Sequence, residues 1–312
     1  MKLNFLRFTV LFSIITIANL LMVSPTWAEG GRPLIAASIL PQKYFIQQIT
    51  KDDFHVEIMV PPGANPATYE PKPSQLVSLS KASAYMAIGV PFEKTWLKRF
   101  SDINKGMMIV DTTAGITKMP AVSIHNLTLR KNSSEESTKH PNTEELDPHI
   151  WLSPRLVKIQ AKNIYNALLS LDPANQKKYR HNLEDFLAEL NLLDEQIRHL
   201  LLPAKGRKFL VFHPSWGYFA KDYNLTMIPI EVEGNEPSAS ELAKIIDLAK
   251  KEGIKIILTQ PEFNARSAEI IAKEIGCKVV PISPLSPDWH NNLLNVANVL
   301  AEALSDKQDR GE

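Results

Sequence analysis

Short apolar runs alternate with longer amphipathic stretches along most of the chain. In the first half, such runs predict strands at 34–40, 54–60, 84–89 and 107–110. The second half repeats the pattern, with runs at 209–212, 226–230, 254–258 and 278–282. Runs that are apolar on both faces and alternate with helices are typical of parallel sheets covered by helices on each side. The pattern therefore predicts an α/β protein with two parallel-sheet lobes.

One long helix is predicted between the two halves. Apolar side chains recur at three- and four-residue spacing from Tyr179 to Leu201, which is the pattern of a single buried helix face. Asp172-Pro173 supplies a capping residue followed by a proline at the first helical position, and Pro203 ends the stretch. A helix over 172–202 would be near 45 Å long at ~1.5 Å per residue. We expect it to bridge the lobes as a rigid element, with a ligand cleft between them.

The ends and the middle of the chain complete the predicted domain organisation. Residues 1–28 have a basic start, an apolar run over 8–23 and a small residue, Ala28, which together predict a signal peptide cleaved near that alanine and export to the periplasm. A retained membrane anchor is the alternative. The remaining predicted parts are an N-terminal lobe at 29–171, the linking helix at 172–202 and a C-terminal lobe at 203–312. Within the first lobe, the polar segment 120–146 is expected to be a mobile surface loop.

Composition excludes several classes of function. The chain has 35 Lys and Arg against 34 Asp and Glu, a net charge of +1, so it lacks the basic excess of a nucleic-acid-binding protein. A single cysteine, Cys277, rules out an intramolecular disulfide and a cluster of thiolate ligands. The sequence contains no glycine-rich phosphate loop, no Gly-x-Ser-x-Gly and no His-Glu-x-x-His, and it is not expected to be an enzyme.

Two histidines are placed where a ligand could bind. His149 stands between the polar segment and a predicted helix, and His213 follows a predicted buried strand. Ligands of open α/β sheets bind beyond the carboxyl ends of the strands, where His213 should lie. A neutral imidazole can bind zinc, and the neighbouring Asp147 could fix the tautomer of His149. An aromatic residue follows each histidine by two or three positions and is expected to shield the site. Hydrogen-bonded structural histidines are the alternative.

The chain resembles the metal-binding solute-binding proteins of bacterial ABC importers, the zinc and manganese receptors. The resemblance is carried by Gly63-Ala64-Asn65-Pro66-Ala67-Thr68-Tyr69-Glu70-Pro71, Asp147-Pro148-His149-Ile150-Trp151, Phe212-His213-Pro214, Glu236-Pro237-Ser238, Gln260-Pro261-Glu262-Phe263 and Ser283-Pro284-Leu285. It implies two lobes with a divalent metal in the cleft, delivered to a membrane permease by a monomer. It also implies that His149 and His213 are metal ligands. Histidine at position 213 resembles the zinc branch, so Zn²⁺ is the expected metal and Mn²⁺ the alternative.

Two positions depart from the pattern of that family. Ala67 stands where the resemblance places a first histidine ligand, and Ser283 where it places an aspartate. Neither an alanine nor a neutral hydroxyl is a good zinc ligand. The candidate auxiliary metal ligands are Glu70, Glu262 and Ser283, together with the loop histidines His125 and His140.

Three hypotheses follow, in order of preference. The first is a receptor for zinc or another divalent metal. The second is the same fold with a non-metal ligand in the space at Ala67 and Ser283. The third is an exported two-histidine metallohydrolase.

Overall fold

Two parallel sheets form the framework of the protein. The computed structural model describes residues 31–123, 145–232, 234–264 and 266–305. The first sheet has the order β2-β1-β3-β4 and consists of β1 Leu34–Ala37, β2 His55–Ile58, β3 Ala84–Ala87 and β4 Met108–Asp111. The second has the order β6-β5-β7-β8 and consists of β5 Lys208–Val211, β6 Thr226–Pro229, β7 Ile256–Thr259 and β8 Lys278–Pro281. All pairings are parallel. The predicted fold class is confirmed.

Helices connect the strands and cover the sheets. They are α1 Leu40–Thr50, α2 Pro73–Leu79, α3 Pro91–Ile103, α4 Pro154–Leu171, α5 Gln176–Leu201, α6 Gly217–Asp222, α7 Ala239–Lys251, α8 Arg266–Ile275 and α9 Trp289–Leu304. Proline occupies the first turn of α1, α2, α3 and α4, where its missing N–H has no helical partner to lose. The sequence pattern did not indicate α3 or α6.

The long helix is present, and it differs from the prediction only at its ends. Its α-helical part, α5, has 26 residues, and short 3-10 turns at Pro173–Asn175 and Leu202–Ala204 continue it on both sides. Each of these turns contains a proline, which cannot donate the hydrogen bond of a regular α-helical turn. The Asp172 carboxylate accepts hydrogen bonds from the Tyr179 hydroxyl and the Asn175 amide, both at 2.7 Å, and fixes the first turn.

Helix α5 contacts elements of both halves of the chain. The Asn182 amide donates to the Ile49 carbonyl of α1 at 2.8 Å, and the Tyr223 hydroxyl, just after α6, donates to Asp194 at 3.0 Å. The last helix also reaches the first half, because Trp289 packs edge-on against Phe45 with ring centroids 5.0 Å apart. The two sheets therefore belong to one compact unit that begins at Arg32. The residue limits proposed for the lobes stay a prediction.

The polar segment begins and ends at an isolated antiparallel bridge between Pro120 and Leu146. Residues 124–144 lie outside the described part of the chain, and with them the predicted mobility of the segment and the histidines His125 and His140. The predicted signal peptide at 1–28 lies outside it as well. None of the described helices combines the length and the apolar character needed to cross a membrane.

Candidate metal centre

The fold brings the two candidate histidines together although they are far apart in sequence. His149 precedes a 3-10 turn at Ile150–Leu152, and His213 follows the carboxyl end of β5 by two residues. Their ring centroids lie 5.2 Å apart with an interplanar angle of 72°. Tetrahedral zinc with Zn–N bonds of ~2.0–2.1 Å places the centroids of two coordinated imidazoles about 5 Å apart. The spacing therefore suits one shared ion.

Each histidine has its own carboxylate partner. His149 Nδ1 lies 2.7 Å from Asp147 Oδ1, and His213 Nδ1 lies 2.9 Å from Glu231 Oε1. A carboxylate at Nδ1 fixes the tautomer in which Nδ1 carries the proton and Nε2 keeps its lone pair. In both rings Nε2 is therefore the nitrogen available to bind a cation. Asp147 was a candidate for this role from sequence, whereas Glu231 was not identified.

The order of the second sheet explains why these residues meet. Glu231 follows β6, His213 follows β5 and Gln260 follows β7, and these three strands are neighbours in the parallel sheet. The carboxyl ends of parallel strands share one edge, so their next residues lie side by side. Gln260 fixes His213 further, because its Oε1 accepts from the His213 N–H at 3.1 Å and its Nε2 donates to the His213 carbonyl at 2.8 Å.

The two carboxylates are buried and incompletely paired. The side chains of Asp147 and Glu231 are 3% and 7% exposed, while those of His149 and His213 are 13% and 26% exposed. Asp147 Oδ2 and Glu231 Oε2 have no hydrogen-bond partner among the described residues. Burial of a carboxylate is unfavourable without compensating charge. With neutral imidazoles the site carries two negative charges, which a divalent cation would neutralise.

Aromatic rings cover the histidines, but only one of them is the residue predicted. Trp151 packs against His149 with centroids 5.1 Å apart, as expected. His213 is instead stacked on Phe263, at 4.7 Å and 17°. Trp216, three positions after His213, packs edge-on against Phe219 at 5.8 Å. The expectation that Trp216 shields His213 is therefore replaced by a ring from the segment after β7, which sequence spacing could not reveal.

Tyr218 ties the Asp147 segment to helix α6. Its hydroxyl accepts from the Met119 N–H and donates to the Asp147 carbonyl, both at 2.9 Å. Burial, with a further contribution from the Asp147 charge, raises the pKa of Tyr218 to about 12, so the hydroxyl keeps the proton it donates. The absence of a side chain at Gly217 leaves room for the Asp147 carboxylate, because a Cβ atom at position 217 would lie 2.9 Å from Asp147 Oδ2.

The other candidate residues lie in different surroundings. Glu70 and Ala67 are exposed, and the Ala67 N–H donates to Asn65 Oδ1 at 2.8 Å in a local turn. Ser283 and Glu262 hydrogen-bond to each other through the Ser283 hydroxyl and Glu262 Oε1. Both line a cavity of about 340 Å³ that the 62–63 segment also borders. Within 31–123, 145–232, 234–264 and 266–305, no three His, Cys, Asp or Glu side chains lie close enough together to hold a metal ion.

The family described as zinc-uptake complex component A, periplasmic (ZnuA), matches residues 35–305 of the chain. Among curated proteins, the high-affinity zinc uptake system protein ZnuA of Bacillus subtilis is 27% identical over 262 residues, which is 83% of this chain and 80% of that protein. The zinc-binding protein AdcA of Streptococcus pyogenes is 28% identical over 295 residues, or 91% of this chain, and the match spans only 56% of AdcA.

Solved structures are similar over most of the chain. A ZnuA protein of known crystal structure is 44% identical in sequence to this chain, with a TM-score of 0.78. The match covers 88% of this chain and 100% of that protein. A zinc-bound ZnuA variant with residues 138–173 of its own numbering deleted gives the same identity and TM-score. A manganese-bound periplasmic metal-binding protein from Candidatus Liberibacter asiaticus, at 22% identity and a TM-score of 0.71, shares the fold.

Proposed function

We propose that this chain, which belongs to the periplasmic zinc-uptake complex component A family, captures zinc between His149 and His213 and delivers it to the permease of an ABC importer. The observation that carries the proposal is the pair of imidazoles 5.2 Å apart, each with Nδ1 held by a buried carboxylate. This arrangement leaves Nε2 of both rings as ligand atoms for one cation.

Zinc is favoured over other divalent ions by the donor set. Imidazole suits zinc, whereas magnesium, calcium and manganese prefer sets of carboxylate, carbonyl and water oxygens. Buried carboxylates behind the ligating histidines increase their basicity and offset the charge of the ion. Manganese is the second candidate cargo, since manganese-bound proteins share this fold.

The proposal assigns the protein the role of a receptor. It would be exported to the periplasm after cleavage near Ala28, act as a monomer, and have the membrane permease rather than nucleic acid as its partner. The curated relatives named above are a zinc uptake protein and a zinc-binding protein, which supports this role. A receptor that delivers zinc must also release it. A zinc ion held by only two histidines, His149 and His213, would be released more easily than one in a closed four-ligand site.

Zinc titration of histidine variants tests the proposal. We expect His149→Ala and His213→Ala each to weaken zinc binding at least a hundredfold in competition with a chromogenic chelator. His181→Ala is the matched control, because His181 lies on α5 with its side chain 74% exposed. Wild-type affinity in both site variants, with the control unchanged, would refute the proposed function.

A further inference from the structure

Two indirect connections link the pair Glu262–Ser283 to the two histidines. Phe263, which stacks on His213, is the neighbour of Glu262 in sequence. Trp151, which packs on His149, donates its indole N–H to the carbonyl of Pro284 at 2.8 Å, and Pro284 follows Ser283. Glu262 also follows β7, and Ser283 follows β8, which is the neighbour of β7 in the sheet. The pair therefore lies at the same sheet edge as His213.

Ser283 is held firmly, whereas Glu262 is held on one side only. The Leu285 N–H donates to Ser283 Oγ at 3.0 Å, and the Asn292 amide donates to the Ser283 carbonyl at 2.9 Å. The Ser283 hydroxyl donates to Glu262 Oε1. Glu262 Oε2 is buried and has no hydrogen-bond partner among the described residues. A buried carboxylate oxygen without a partner is costly, and a cation would compensate it.

We propose that Glu262 is the anionic zinc ligand of this protein. The inference rests on the proposed function and adds a third protein ligand to it. Since no three candidate side chains of the described segments are close enough to share an ion, Glu262 would reach the metal by turning away from Ser283. Its oxygen would then bind at ~2.0–2.2 Å, and a water would complete the tetrahedron.

The other carboxylates near the histidines are less suited to this role. Asp147 and Glu231 bind the Nδ1 atoms, and a group at Nδ1 lies across the ring from an ion at Nε2. Glu70 is exposed to solvent. Glu262 is half-buried, its Oε2 atom is buried without a hydrogen-bond partner among the described residues, and among these acids it alone combines that free oxygen with the absence of a histidine partner. It is also the sequence neighbour of Phe263, which contacts His213.

A charge-relocation experiment tests the assignment. Glu262→Gln keeps the shape and removes the charge, and we expect it to weaken zinc binding at least tenfold. Adding Ser283→Asp to that variant places a carboxylate at position 283, whose side chain now hydrogen-bonds to Glu262, and we expect it to restore affinity to within threefold of wild type. Glu274→Gln is the control, because Glu274 is exposed on α8, and it should bind zinc like wild type. Circular dichroism verifies that each variant is folded.

The outcomes separate this inference from the function it rests on. If Glu262→Gln binds zinc like wild type while His213→Ala does not, Glu262 is not a ligand and the receptor function stands. If both histidine variants bind like wild type, the function itself fails. With cobalt(II) in place of zinc, loss of a ligand changes the visible spectrum. A weakened Glu262→Gln protein with an unchanged cobalt spectrum would overturn ligation by Glu262.

Discussion

Replacement of Glu231 by glutamine gives the sharpest test of how the site is organised. The substitution keeps the volume of the side chain and a neutral acceptor for His213 Nδ1, but it removes a buried negative charge whose Oε1 lies 2.9 Å from that nitrogen. An ion on Nε2 of the same ring would be about 7 Å from this charge, which gives an upper bound of about 5 kcal/mol for a divalent ion at an effective dielectric constant of ~20.

The measured loss should be smaller than that bound. The His213 side chain is 26% exposed, so water screens the interaction, and glutamine retains a hydrogen bond. Substitution of a carboxylate behind a metal-binding histidine typically weakens metal affinity ~10–100-fold, or about 1.4–2.7 kcal/mol. We expect Glu231→Gln within this range and Glu231→Ala, which removes the acceptor as well, at its upper end.

The stability of the metal-free protein should not fall together with the zinc affinity. Because Glu231 Oε2 is buried without a partner among the described residues, the metal-free protein gains little from the charge. We expect the melting temperature of metal-free Glu231→Gln to equal or exceed that of wild type. Affinity is measured by competitive zinc titration, with Glu195→Gln on the exposed side of α5 as control. Zinc affinity within twofold of wild type would refute the role given to Glu231.

Four other substitutions test separate parts of the structure. Tyr218→Phe removes the hydroxyl between two backbone groups, and we expect a loss of about 1–3 kcal/mol in the free energy of unfolding by urea. An unchanged free energy of unfolding would show that these two hydrogen bonds do not stabilise the protein. Gly217→Ala should weaken zinc binding at least tenfold, because the new Cβ would press on Asp147 Oδ2 at 2.9 Å, and titration at wild-type strength would show that this position is tolerant. Burial raises the pKa of Glu93 and outweighs the lowering effect of its hydrogen bonds. The stability that protonated Glu93 contributes is therefore complete below the unfolded-state pKa of ~4.3 and is lost as pH rises through the folded-state pKa. In urea unfolding at a series of pH values, wild type should therefore lose stability relative to Glu93→Gln as pH rises from the unfolded-state pKa through the folded-state pKa, and the reverse trend would contradict the sign. Ala67→His should tighten zinc binding at least tenfold, about 1.4 kcal/mol, if the turn that carries it closes over the histidine pair; calorimetry showing no gain would mean that position 67 does not face the metal.

Hydrophobic pattern predicted the framework because strands buried on both faces and a helix with one continuous apolar face leave direct signatures. The runs at 34–40 and 209–212 contain the observed β1 and most of β5. Helix α3 was missed because its buried positions, Phe92, Glu93 and Phe100, form too sparse a pattern and include a charged residue. The prolines at the ends of the long helix were recognised, but apolar periodicity does not distinguish the 3-10 turns that they form from α-helical ones.

The centre of the site was predictable, and its surroundings were only partly so. His149 and His213 stood out because each follows or precedes a clear structural element and lies in a motif that resembles a known family. Glu231 carried a weak signal, as an acid directly after an apolar run. Phe263 stood in one of the motifs that carry the resemblance, but its stacking on His213 was not predicted, because it depends on the order β6-β5-β7-β8. Strand order is a tertiary property that the sequence pattern did not provide.

The position of the bound zinc ion decides whether His149 and His213 are its ligands. Crystals grown with one equivalent of zinc, with anomalous difference maps collected on both sides of the zinc absorption edge, would locate the ion without reference to affinity. We expect one strong peak ~2.0–2.1 Å from Nε2 of both His149 and His213, with Asp147 and Glu231 still on the Nδ1 atoms. A peak that contacts neither histidine, or zinc on Nδ1 of either ring, would contradict it.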